Sequence, residues 1–328
     1  MAEPGTTSPT APPAIPPERA GGGDGFPQEA LAGAEAASGR SIASPVLAST
    51  VVVLRPRPAG PEVLLIRRPP GGYVPGDWIF PGGRVDAADL DAPSGSLTPC
   101  ECGRVLGLED TAVARAACLA AVRELSEETG LLLARDRAGR MADAEAATSV
   151  AQASQKGASA WHAALEHRGL VPAIDALAPF AHWVTPEGLP KRFDTWFFAT
   201  RCPDGQEAAP YNETTGLRWI RPRDAVADNA PGGDITLPPP TLDALLRLAA
   251  VFDAGTAGDT AGIDGLLAAW ARRGPPRVQR PVMLANGPDG PMVVLPGDPL
   301  HPETPNARPT TRYRFVLREG RFHRIRND

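Results

Sequence analysis

After a long polar stretch, short runs of β-branched residues mark the first ordered part of the chain. "VLASTVVVLRP" and "EVLLIRRP" flank the break "RPAGP", and runs of this kind bounded by turn residues predict strands over Val46–Leu54 and Val63–Arg67. A shorter apolar core, Trp78 to Phe80, lies within the glycine-rich turn "PGDWIFPGGRVD". From Asp86 to about Glu109 the periodicity lapses and the chain reads as loop. A helix is then predicted over Thr111–Thr129, alanine-rich throughout, with Asp110 or Thr111 as its cap and Gly130 where a left-handed C-terminal residue belongs. The alanine-rich stretch that follows, to about Ser159, carries no sharp signal, whereas "AWHAALEHRG" predicts a short helix closed by Gly169.

Further along, "PFAHWVTP" and "RFDTWFFATR" predict two strands, and "GLRWIRPRDAV" a strand leading into a turn and short helix. "TLDALLRLAAVF" and "IDGLLAAWARR" have helical spacing. Beyond them "PVMLANGPDGPMVVLPG" and "YRFVLREGRFHRI" place apolar runs on either side of turns, the pattern of hairpins. Strands and helices alternate irregularly, which favours an α/β or α+β sandwich with a mixed sheet.

Composition changes this picture mainly at the N-terminus. Much of the excess over ordinary usage in the 38 prolines and 34 glycines lies between Met1 and about Ser44, a stretch without periodicity and with Phe26 as its one aromatic. Such a segment buries too little to offset its ordering entropy, so residues 1–44 are expected to be a disordered tail. It has no basic region followed by an apolar one, so no secretory signal is expected. The remainder divides into an expected main domain over 45–255 and a C-terminal helix and hairpin extension over 256–328 packing on it. No apolar run is long enough for a membrane span, and a net charge of -5 without a basic stripe argues against dedicated nucleic-acid binding. Cys100, Cys102, Cys118 and Cys202 form no disulfide framework in a chain this long, so free thiols and a cytoplasmic location are expected. A homodimer is compatible with all of this.

The chemistry concentrates in "VRELSEETGLLL", Val122 to Leu133. Glu124, Glu127 and Glu128 project from neighbouring parts of one helix face, at the negative end of the helix macrodipole. Two carboxylates about 5 Å apart repel by roughly 3 kcal/mol at an effective dielectric of 20. A divalent cation would reverse both penalties; a solvated acidic helix end is the plainer alternative.

These residues resemble the Nudix hydrolases, whose box reads G-x5-E-x7-R-E-U-x-E-E-x-G-U, with U a bulky aliphatic. Arg123 to Leu131 match its second half without a gap, and "FPGG" resembles its opening, with Gly83 as the box glycine. Between Gly83 and Arg123 the chain is about 26 residues too long, which places an insert at about 87–112. Counted back from Arg123, the first box glutamate falls at Arg115, so its role is lost or supplied by Asp86 or Glu109. The insert and the segment "HWVTPEGLPKRFDTWFFA" resemble the branch related to peroxisomal coenzyme A diphosphatases. The chain ends "RIRND", so a peroxisomal address is not carried over.

The resemblance implies a Nudix α/β/α sandwich with a mixed β-sheet, interrupted by the insert and followed by a C-terminal β-hairpin extension. It implies hydrolysis of a nucleoside diphosphate derivative, with coenzyme A or an acyl-CoA favoured and NADH or ADP-ribose next. Glu124, Glu127 and Glu128 would hold Mg2+ or Mn2+, with Arg123 orienting a glutamate. Gly82 and Gly83 would let the backbone approach the metal or phosphate. Glu213, six residues before Trp219, is a fourth ligand, a general base or a solvated loop residue. Arg192 and Asp194 alternate along a strand face, where they contact phosphate or ribose or form a structural salt bridge. The five histidines form no ligand spacing. A Nudix-fold module that has lost catalysis is the alternative reading.

Overall fold

Strand β1 (Val46–Arg55) runs through the middle of the main sheet, and its alternation decides the layers. Val51 and Val53 join the core on one face, while Val52 and Leu54 join the core on the other, all fully buried. The computed structural model describes residues 42–68, 77–92, 95–212, 214–255, 259–304 and 312–325. The tail expected over 1–44 therefore lies almost wholly outside the described residues.

One side of β1 pairs in parallel with β8 (Phe193–Arg201), from Val46 opposite Phe193 to Leu54 opposite Arg201. Its other side is shared. Leu54 and Arg55 pair with β2 (Glu62–Arg67), and Ala48 to Thr50 pair with β4 (Gly82–Arg84), both antiparallel. β2 also carries β3 (Trp78–Ile79) and β9 (Gly216–Ile220), while β7 (Ala178–Val184) and β10 (Val278–Gln279) extend the sheet beyond β8. Parallel and antiparallel neighbours make the sheet mixed. The short pair β5 (Ala134–Arg135) and β6 (Val171–Pro172) stands apart from it.

Helices cover both faces. On the first lie α1 (Ala87–Asp91), α2 (Pro99–Leu106), α3 (Thr111–Thr129), α4 (Ala144–Ser154) and α5 (Ala158–His167). Their core contains Leu106, Leu119, Leu125, Val150 and Trp161 against Trp196 and Phe198 of β8. After α6 (Pro222–Asp228), helices α7 (Pro239–Asp253) and α8 (Thr260–Arg272) bring Leu245, Leu248, Ile263 and Trp270 to the opposite core. That core also takes Leu295 and, from a second sheet, Val293, Phe315 and Phe322. This sheet is an antiparallel meander of β11 (Val282–Gly287), β12 (Gly290–Val294), β13 (Arg314–Arg318) and β14 (Arg321–Arg324). The architecture is an α/β/α sandwich, and the two predicted hairpins form one four-stranded sheet.

The stretch expected to be loop, Asp86 to Glu109, is corrected: it holds α1 and α2. Thr98 caps α2 in a reciprocal capping box, donating its N–H to Glu101 at 2.8 Å while its hydroxyl accepts from Glu101 N at 3.3 Å. Pro99 occupies the first turn, where a missing N–H costs nothing, and Gly107 closes the helix at φ 65°. The stretch without a sharp signal contains α4, capped by Asp143 on Ala146 N.

Candidate active site

Helix α3 positions the acidic cluster. Asp110 caps its start, accepting from Ala112 and Val113 N–H at 3.1 Å each, and the Ser49 hydroxyl of β1 donates to Ala117 O at 2.7 Å, pinning the helix to the sheet. Its far end is closed carbonyl by carbonyl. Gly130 N–H donates to Ser126 O, the Asn212 amide to Glu127 O, Tyr211 N–H to Glu128 O and Ala209 N–H to Thr129 O. These donors quench the negative helix end on which the glutamates stand.

Arg123 is the hub. It is 3% exposed, and its guanidinium grips Asp89 through Nε at 3.0 Å and Nη2 at 2.8 Å. Nη1 donates to Glu124 Oε1 and Glu127 Oε2 at 2.9 Å each, and Nη2 also donates to Arg84 O. Burial opposes the charge, but the hydrogen bonds to Asp89 and the charges of Glu124, Asp89 and Glu127 hold its pKa above the ordinary arginine value. Asp89 is fully buried, and burial pushes its carboxyl up. The hydrogen bonds from His162 and Arg123 outweigh that push and hold it below the ordinary value. His162 Nε2 reaches Asp89 Oδ1 at 3.1 Å, and Asp86 N–H donates to Oδ2 at 2.9 Å.

Asp89 corrects the expectation about the interrupted box. Counted forward from Gly83 across five residues, position 89 is where the box acid belongs, and it is an aspartate. The insert therefore begins after Asp89 rather than at 87. Arg115 is not the equivalent position; its Nη2 donates to Leu90 O at 3.4 Å. Neither proposed substitute serves, since Asp86 caps α1 on Ala88 N–H and Glu109 is exposed. The forward count was available in the sequence. No spacing, however, pointed to His162, which comes from α5.

The glycines act through close approach. A Cβ on Gly82 would lie 2.3 Å from Ser49 O, and one on Gly83 would lie 2.4 Å from the Glu124 carboxyl carbon. Two bare positions thus let β4 pass between β1 and the glutamates. Gly82 N–H donates to Glu128 Oε2 at 2.7 Å.

Burial raises the pKa of all three glutamates, and Arg123 pulls against it at Glu124 and Glu127. Glu127 is pushed up to about 7 and Glu128 to about 8, the latter also by the charge of Glu124. Glu127 Oε1 is buried without a hydrogen-bond partner. Among the described residues no group of three or more His, Cys, Asp or Glu side chains is arranged to hold a metal ion. The carboxylates are instead drawn toward Arg123 and Gly82. Their hard oxygens, their half-buried position and the orphaned Oε1 nevertheless suit a divalent cation of the Mg2+ or Mn2+ type.

Two further candidates fare differently. Arg192 is buried, and its guanidinium donates to the backbone carbonyls of Thr185 and Ala43 at 3.1 and 2.8 Å, so the structure does not bring it to the cluster. Asp194 pairs with His182 rather than with Arg192. Glu213 lies outside the described residues, although Asn212 before it holds Glu127 O at 2.9 Å. Arg68, unassigned from sequence, adds a positive charge that acts on Glu128.

The family model for the NUDT19 Nudix domain matches residues 108–248, which include the whole of α3. Over these residues the chain is similar to the Nudix hydrolases. It is 29% identical over 303 residues to the acyl-coenzyme A diphosphatase NUDT19 of Homo sapiens, covering 77% of each chain. It is 27% identical over 307 residues to the Xenopus laevis protein of that name, with the same coverage. A solved Nudix hydrolase from Alicyclobacillus acidocaldarius superposes with a TM-score of 0.54 at 29% identity, covering 64% of this chain and 93% of the other. Among the described residues no helix of the chain is long and apolar enough to cross a membrane, and its four cysteines are free.

Proposed function

We propose that the chain is a Nudix hydrolase that cleaves the diphosphate linkage of a nucleoside diphosphate derivative. Coenzyme A or an acyl-CoA is favoured, with NADH or ADP-ribose next. The observation that carries the reading is the half-buried trio Glu124, Glu127 and Glu128, with an unpaired Glu127 oxygen, beside the Gly82 backbone. The names of the human and frog relatives support the choice of substrate.

Glu124, Glu127 and Glu128 are the residues that would hold Mg2+ or Mn2+, which when bound neutralises phosphate charge and acidifies water. Arg123 fixes Glu124 and Glu127 relative to each other, and Asp89 fixes Arg123. With Oε2 held by Arg123, Oε1 is the Glu127 atom that would bind the cation. Arg68 supplies positive charge for the diphosphate oxygens. The rival reading, a module that has lost catalysis, drew on the missing box acid; Asp89 removes that ground.

The test is product analysis after incubating the full chain with CoA, acetyl-CoA, NADH, ADP-ribose and a nucleotide sugar, with Mg2+, Mn2+ or chelator. Cleavage between the two phosphates of CoA, abolished by chelator, is expected. Turnover that persists in chelator, or none with any substrate, overturns the proposal.

A further inference from the structure

Next to the glutamates a cleft, partly open to solvent, runs between the main sheet and the C-terminal sheet. Thr50, Gly82 and Arg68 line it, so it is continuous with the backbone that holds Glu128. Phe80, Trp183 and Phe197 form its main-sheet wall. Pro281, Met283 and Val293 bring to it the C-terminal sheet, which lies beyond the segment matched by the Nudix family model. Apolar walls with a few polar groups are the usual form of a ligand site.

The polar groups narrow the occupant. Among the described residues the cleft offers threonine hydroxyls (Thr50, Thr185, Thr195, Thr241), the Trp183 indole and the Arg68 guanidinium, and no Asn, Gln, Asp, Glu or His. Amide and carboxylate side chains, which read the edge of a nucleobase with paired hydrogen bonds, are missing from it. Scattered hydroxyls on apolar walls suit a chain with isolated amides and a hydrocarbon end. We infer that the cleft takes the acyl-pantetheine arm of the substrate, not its nucleoside, and that Met283 and Val293 of the C-terminal sheet set the acyl length accepted. This rests on the proposed hydrolysis of a CoA-type diphosphate. The reacting bond stays at the diphosphate; the arm is only bound.

The experiment measures kcat and KM of the full chain for CoA and its acetyl, butyryl, hexanoyl and lauroyl thioesters. Burying each methylene is worth up to about fourfold in affinity, so KM falls stepwise with length and then levels off where the cleft is full. Met283→Trp moves that plateau to shorter chains and lowers the lauroyl-to-acetyl ratio of kcat/KM at least tenfold, while Val293→Ala moves it to longer chains. The wild-type series stands even where a variant does not fold. A KM independent of chain length, with CoA itself cleaved, overturns the cleft assignment and leaves the diphosphatase reading intact. An equal loss for CoA and all thioesters in Met283→Trp points to the nucleoside as occupant and also overturns it. No cleavage of CoA or any thioester overturns both.

Discussion

Arg123 carries its charge into a buried position because four acceptors surround it: Asp89, Glu124, Glu127 and the Arg84 carbonyl. Asp89 touches none of the three glutamates in these bonds, so it acts on them through Arg123. Asp89→Asn keeps the shape but removes the counter-charge. It should weaken Mn2+ binding and kcat by about 10- to 100-fold, the range seen when the partner of a ligand is lost, with KM nearly constant. Steady-state kinetics with a Mn2+ titration checks this, and equal activity would place Asp89 outside the site. His162→Ala, which removes one of the hydrogen bonds to Asp89, should give a smaller loss of the same kind. At Glu213, substitution by Gln should lower kcat by about two orders of magnitude if the residue is the general base, and by less than about twofold if it is a solvated loop residue. This residue-level network was half legible. The unbroken "RELSEETG" exposed the glutamates and Arg123, but counting backward across the insert hid Asp89, and no local pattern links His162 to a residue so distant in sequence.

Helix α3 was legible to the residue, and the reason lies in its ends. Asp110 and Gly130 are strong local signals whose physics needs no tertiary partner: a side chain that satisfies free N–H groups and a backbone that adopts φ 72°. Helices α1 and α2 escaped because five and eight residues are too few for a periodicity to emerge, leaving as traces their capping boxes and, in α2, Pro99 and Gly107. The pairing of the two C-terminal hairpins through β12 and β13 was equally hidden, since strand partners are chosen by long-range packing. Gly130 is also where the helix meets the loop that quenches its end, for a Cβ there would lie 2.6 Å from the Tyr211 ring. Gly130→Ala should therefore cost about 2 kcal/mol for the left-handed backbone alone, with further loss from displacing Tyr211. Chemical denaturation measures it; a cost below about 0.5 kcal/mol would show that the loop yields freely.

At the scale of the whole molecule, burial and charge link the two sheets. Burial pushes the Asp77 carboxyl up to about 7, against the pull of Arg68 and of Arg321 in the C-terminal sheet. A pKa raised on folding means that the folded chain binds the proton more tightly. Its stabilising effect is complete below the ordinary value of 3.8 and is lost as pH rises through about 7. Asp77→Asn should gain about 5 °C in Tm relative to wild type between pH 5 and pH 8, and a difference that stays constant with pH would exclude Asp77 as the source. The central claim is that the half-buried glutamates form a cation site, and calorimetric titration of the metal-free full chain with Mn2+ addresses it without relying on turnover. Wild type should bind with Glu124, Glu127 and Glu128 each required, so that Glu127→Gln and Glu128→Gln lose the heat of binding while remaining folded. Saturable Mn2+ binding that survives unchanged in both Gln variants would contradict the account.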